Sequence, residues 1–144
     1  MLVQQILKSK SDDGVVTIPH GTTVGDAARL LASRRIGAVV ISSDGKAVGG
    51  ILSERDIVRE LAAKGPACMT RKVDSLMTSH IISCTRGETS EQVLAKMTKG
   101  RFRHMPVMEG AEMVGLISIG DVVKAQLAKL SMEKEALESM IKGF

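Results

Sequence analysis

Apolar and polar positions along this chain run through one pattern twice. Val15-Val16-Thr17-Ile18 is a β-branched run stopped by Pro19-His20-Gly21, which predicts a short buried strand and a turn. Thr23 with Asp26 three residues on makes a capping-box-like helix start, and Val24, Ala27, Ala28, Leu31 and Ala32 mark one apolar face that Arg34-Arg35 closes. Residues 38–41 and 48–52, parted by Ser43-Asp44-Gly45-Lys46, predict a hairpin. A second helix over 53–65 keeps its period through Ile57, Val58, Leu61 and Ala62, with Gly65-Pro66 as left-handed cap and block. The unit is β-α-β-β-α.

The second pass lies 66 residues on, falling to 65 after a one-residue shortening, so that Thr23 answers to Thr89, Arg35 to Arg101 and Asp56 to Asp121. Its strand is Ile81-Ile82-Ser83-Cys84, its first helix spans 89–99 with Gln92 completing the cap, and its hairpin uses 105–108 and 113–117. After Asp121 the last helix overruns its counterpart, carrying Val122, Val123, Leu127 and Leu130 toward Leu137, Met140 and Ile141. That tail suits either a partner helix or a surface helix packed back on its own repeat. The expected class is α/β (α+β), with 1–72 as the first repeat and its lead-in, 73–130 as the second, and 131–144 as a helical tail. Residues 1–6 and the 66–76 linker occupy similar leading positions, and a swap of these segments between repeats is one arrangement the pattern allows.

A two-fold repeat predicts paired clefts between the copies. Each copy ends in Gly-x-x-Ser-x-x-Asp, as Gly50 to Asp56 and Gly115 to Asp121, placing a hydroxyl and a carboxylate at a helix start. A carboxylate there can accept both hydrogens of a ribose 2′,3′-diol, at roughly 1.5 to 3 kcal/mol per charged hydrogen bond. Ser-x-x-Asp is equally what a helix cap requires, and duplication copies caps as faithfully as sites. Arg101-Phe102-Arg103-His104 tilts the balance, because guanidinium groups set before a buried strand suit phosphate. The first copy keeps only Arg35 of that cluster, so the clefts are expected to differ in phosphate affinity. A histidine beside a strand is commonly just packed, and only its arginine neighbours bring His104 into the phosphate set.

Composition narrows the partners. The net charge of +4 comes from 20 basic and 16 acidic residues, with 11 basic and 7 acidic in 1–72 and 9 of each in 73–144. An aromatic content of 1% leaves almost no stacking platform for exposed bases, which argues against nucleic acid. No apolar run approaches the roughly 18 to 20 residues of a membrane span, and the first residues lack a signal peptide's regions, so a cytoplasmic location without membrane contact is expected. Cys68 and Cys84 fit no metal pattern and are expected to be reduced and either buried or incidental, with no role of their own. There is no phosphate-binding glycine loop and no nucleophile with a marked base, so no enzyme activity and no metal requirement are expected.

Together the twin Gly-x-x-Ser-x-x-Asp endings, residues 35–41, 101–107 and 74–78 closely resemble the cystathionine β-synthase (CBS) domain pair, or Bateman module, over nearly all of 15–124. The resemblance implies two β-α-β-β-α units about a pseudo-two-fold axis and an adenosine ligand in the clefts: AMP foremost, with ADP, ATP, NAD(H) or S-adenosylmethionine as alternatives. It would place Ser118 and Asp121 on ribose and phosphate in one cleft and Ser53 and Asp56 in the other. Adenine would face Ile82 and Ser83 under Met105 and Pro106, with Val16, Thr17, Ala38 and Val39 in the matching places. Arg103 and His104 would reach phosphate, and Arg55 would supply a further cation. A homodimer through Ile57, Leu61, Val123 and Leu127, and an unknown protein target, complete the picture of a free-standing energy or redox sensor. The alternative is an interaction protein without ligand response.

Overall fold

A lead-in helix α1 (Val3–Ser9) precedes β1 (Thr17–Ile18), α2 (Val24–Arg34), β2 (Ala38–Ile41), β3 (Gly50–Ser53) and α3 (Glu54–Lys64). The second repeat comprises α4 (Ser90–Gly100), β4 (His104–Glu109), β5 (Glu112–Ser118) and α5 (Ile119–Lys142). The computed structural model describes residues 1–10 and 14–143; residues 11–13 of the first lead-in, and Phe144 at the end of the expected tail, lie outside them.

Hydroxyl caps set the helix starts. Ser53 with Asp56, Thr89 with Gln92 and Ser118 with Asp121 form reciprocal capping boxes, each satisfying two backbone N–H groups that the first turn leaves without partners. Thr23 accepts from the Asp26 N–H at 3.2 Å, but the Asp26 carboxylate turns to Arg29 instead of closing the box. Both α2 and α4 end on an arginine in left-handed backbone, Arg35 at φ 54° and Arg101 at φ 56°. A non-glycine residue pays roughly 1 kcal/mol for that conformation, which turns the chain sharply into β2 and β4. Gly65 has φ 77° but an extended ψ of −174°, so α3 ends without the left-handed helical turn expected of it.

In the first sheet β1 lies parallel to β2, which pairs antiparallel with β3; in the second, β4 pairs antiparallel with β5. The strand expected at 81–84 shrinks to one bridge, with the Cys84 N–H donating to Pro106 O at 3.0 Å and Cys84 O accepting from the Met108 N–H at 2.8 Å. The reason lies just upstream. Thr78 exchanges both backbone bonds with Ile51 of β3, at 3.0 and 2.9 Å, so the chain crosses from one sheet to the other within a few residues.

The lead-ins are swapped. Met1 O accepts from the Ser90 N–H, and the Val3 N–H donates to Glu88 O, both in the second repeat. Arg71 O accepts from the Val24 N–H and the Val73 N–H donates to Thr22 O, the same two bonds 70 lead-in positions on, in the first repeat. Val3 and Val73 are wholly buried in the cores they cross to. A third apolar layer joins the sheets, with Ala38, Val40 and Ile51 meeting Met108, Met113 and Leu116. Cys68 and Cys84 are buried free thiols, and burial pushes Cys84 up to about 11.

Candidate functional site

Because the sheets face each other, each carboxylate at a helix start looks across at the other repeat's strand. A cleft of about 450 Å³ is lined by Ser118 and Asp121 together with Gly14, Val15, Val16, Ile36, Gly37, Ala38 and His104. Its counterpart, about 560 Å³, sets Ser53, Arg55 and Asp56 against Ile81, Ile82, Phe102, Arg103 and His104. The grouping is therefore crossed relative to the sequence expectation. Val16 and Ala38 share a cleft with Asp121, and Ile82 and Arg103 share one with Asp56.

Five expected residues do not line either cleft. Val39 and Met105 are fully buried, because strand alternation turns them inward onto the helices of their own repeats. Pro106 is buried opposite Leu116 with its carbonyl given to Cys84. Thr17 lies beyond the wall made by Gly14, Val15 and Val16. The Ser83 carbonyl is taken by Lys96 Nζ at 3.2 Å.

In both Ser-x-x-Asp endings one carboxylate oxygen makes the cap. Asp56 Oδ2 accepts from the Ser53 N–H at 2.9 Å and its hydroxyl at 3.0 Å, while Oδ1 is 3.4 Å from Arg59. Asp121 Oδ2 accepts from the Ser118 N–H at 2.9 Å and lies 3.0 Å from Lys10 Nζ. Burial works to raise the Asp121 carboxyl, but the Ser118 N–H and the Lys10 ammonium outweigh it and hold the group below its ordinary range.

Charge divides the clefts. Arg55, Arg59, Arg101 and Arg103 line the Asp56 cleft, and of these only Arg59 has an ion pair among the described residues. The Asp121 cleft has Lys10 and shares His104. The guanidinium-rich cleft is thus the one holding Asp56, since Arg103 crosses to it. Sequence reasoning left out Lys10, Arg59, His80 and Phe102. The signal for Lys10 was the longer spacer after the first lead-in; for His80 it was the position directly before Ile81, on the cleft wall. His20 instead pairs with Asp74 at 2.6 Å, away from both clefts. Among the described residues no three His, Cys, Asp or Glu side chains gather as a metal site, and no helix is long and apolar enough to cross a membrane.

Two repeats with exchanged lead-ins, and a cleft on either side of their shared sheet interface, define a tandem two-cleft α/β architecture. A family model for the CBS domain matches residues 5–63 and 73–128, and the chain belongs to that family. It is 31% identical over 148 residues to the mitochondrial CBS domain-containing protein CBSX3 of Arabidopsis thaliana, covering 98% of this chain and 72% of that protein. It spans only 22% to 24% of the length of other matching Arabidopsis CBS-domain proteins. Among solved structures, the CBS-domain protein ATU1752 of Agrobacterium tumefaciens is 42% identical at a TM-score of 0.82, with 87% of this chain and 92% of that one covered. PAE2072 of Pyrobaculum aerophilum, solved complexed with AMP, is 25% identical at a TM-score of 0.76, covering 92% and 99%.

Proposed function

We propose that this CBS-domain pair is a regulatory module that binds an adenosine-containing ligand between its repeats and reports occupancy to a separate protein, as an energy or redox sensor. The observation that carries this reading is the Asp56 cleft. A carboxylate held by its own cap faces an apolar wall of Ile81 and Ile82, while Arg55, Arg101 and Arg103 line the same space without ion pairs among the described residues. Such a cleft suits a ribose diol at Asp56, an adenine ring on the apolar wall and phosphate oxygens at the guanidinium groups. AMP is the first choice, given the AMP complex of PAE2072. ADP, ATP, NAD(H) and S-adenosylmethionine are the further candidates.

Isothermal titration with AMP, ATP, NADH and S-adenosylmethionine tests the reading, using the wild type and Asp56→Asn, which keeps a capping side chain. AMP should bind the wild type, and Asp56→Asn should weaken it at least tenfold. Silence from all four ligands would leave the second reading, an interaction protein without ligand response, for which the exposed apolar residues of α5 speak.

A further inference from the structure

We propose that Lys10 makes the two clefts unequal, latching the Asp121 cleft against a ribose so that an adenosine ligand fills the Asp56 cleft first. This rests on the function proposed above and concerns its specificity.

The two lead-ins follow the same path and then diverge. Met1 to Val3 and Arg71 to Val73 make matching bonds, and the Leu7 and Met77 side chains each pack directly on a glycine, Gly115 and Gly50, where an added Cβ would displace them. Beyond that point the first lead-in takes eight positions from Leu7 to Val15, while the second takes four from Met77 to Ile81. The longer spacer carries Lys10 onto the start of α5. There its Nζ donates to Leu116 O at 2.8 Å and lies 3.0 Å from Asp121 Oδ2.

A ribose diol donates two hydrogens to one carboxylate, so in this cleft it must compete with an ammonium already seated on Oδ2. Both partners are about three-quarters buried, at 25% and 23% side-chain exposure, so solvent screens the pair weakly. Displacing Lys10 would also leave a charged donor without its acceptors. Among the described residues no lead-in side chain does this at the other cleft. Asp56 pairs instead, among the described residues, with Arg59, 3.4 Å from Oδ1 on a side chain 73% exposed, a pairing that yields readily to a ligand.

Titration of the full chain with adenosine and with 2′,3′-dideoxyadenosine separates the possibilities, because only the first offers the diol. Wild type should show one tight adenosine site, and Asp56→Asn should leave a weak one. Adding Lys10→Met to Asp56→Asn should tighten adenosine at least tenfold and leave dideoxyadenosine unmoved; Lys10→Gln provides a second variant, and thermal melting confirms that each is folded. The latch is overturned if removing Lys10 weakens adenosine, changes nothing, or strengthens both nucleosides alike. A wild type that binds neither adenosine nor AMP in either cleft defeats the function itself, whatever Lys10 does.

Discussion

His104 is where the two clefts meet, for its ring lines both. The first repeat places Ala38 at the equivalent position and Gly37 where the second has Arg103, so a single imidazole rather than a matching pair serves the two clefts. Gly37 sits beside the ring, where an added Cβ would make an ordinary contact with His104 Nε2 at 3.4 Å. Burial lowers the His104 pKa below the ordinary 6.5, against the pull of Asp121 and Glu54 and with help from Lys10 and Arg103, so the ring is neutral at pH 7. A base harder to protonate in the fold means that the unfolded chain takes the proton first. Stability attributable to His104 is therefore full above 6.5 and falls as pH drops through 6.5 toward the folded value, by at most about 1.4 kcal/mol per pH unit. Urea midpoints should fall between pH 7.5 and 5.5, and His104→Gln should reduce that fall; an identical fall in both proteins would assign it elsewhere. That Asp56, Asp121 and Arg103 line the clefts was legible because each is a polar residue type at a fixed place in a repeated motif. Val39 and Met105 were misplaced because a strand's two faces look alike when both are apolar. Nor does a sequence disclose that Arg35 and Arg101 stand in left-handed backbone.

At the scale of elements, the lead-in swap makes each half of the molecule depend on the other's leading segment. Val3 belongs to the chain before the first repeat, yet its side chain is fully buried against Val93, Met97 and Val122 of the second. Val3→Ala should cost about 1 to 2 kcal/mol, in the range for removing buried methyl groups. Hydrogen exchange should locate the loss, with amides of α4 exchanging faster while α2, covered by Val73, keeps its protection. Faster exchange in α2 instead would refute the crossed packing. Helices and hairpins were legible here because capping hydroxyls and the two periodicities are local signals. The strand at 81–84 was over-assigned for the converse reason: β-branched residues favour extension, but a strand needs a partner, and Thr78 had already paired with β3. The swap itself rests on which repeat buries which valine, and no local signal carries that.

Over the whole molecule, the apolar surface left exposed is concentrated on helices. Ile57, expected at a contact between copies, is buried in the first core, whereas Val58 and Leu61 on α3 and seven large apolar residues on α5 are exposed. α5 is one continuous helix of 24 residues, roughly 36 Å long; Lys129 still pairs with Glu91 of α4 at 2.7 Å, and from Leu130 onward every described residue is exposed, so this last stretch does not pack back on its own repeat. Val123, Leu127, Leu130, Lys134, Leu137 and Ile141 follow one another at alternating steps of four and three, the spacing of a seam between two supercoiled helices. Lys134 is the one polar member, and a polar residue in such a seam sets register at some cost in stability. The stripe therefore predicts that α5 pairs with α5 of a second copy. Light scattering should find a dimer for the wild type and a monomer for the double variant Leu127→Glu, Leu130→Glu. Neither substitution touches a cleft, so AMP affinity per chain should stay within about twofold, and the cleft-lining face of α5 at Asp121 should keep its capping box. A dimer that survives both glutamates would move the contact to Val58 and Leu61 on α3, and a wild type monomeric at high concentration would leave the stripe for a different protein to cover.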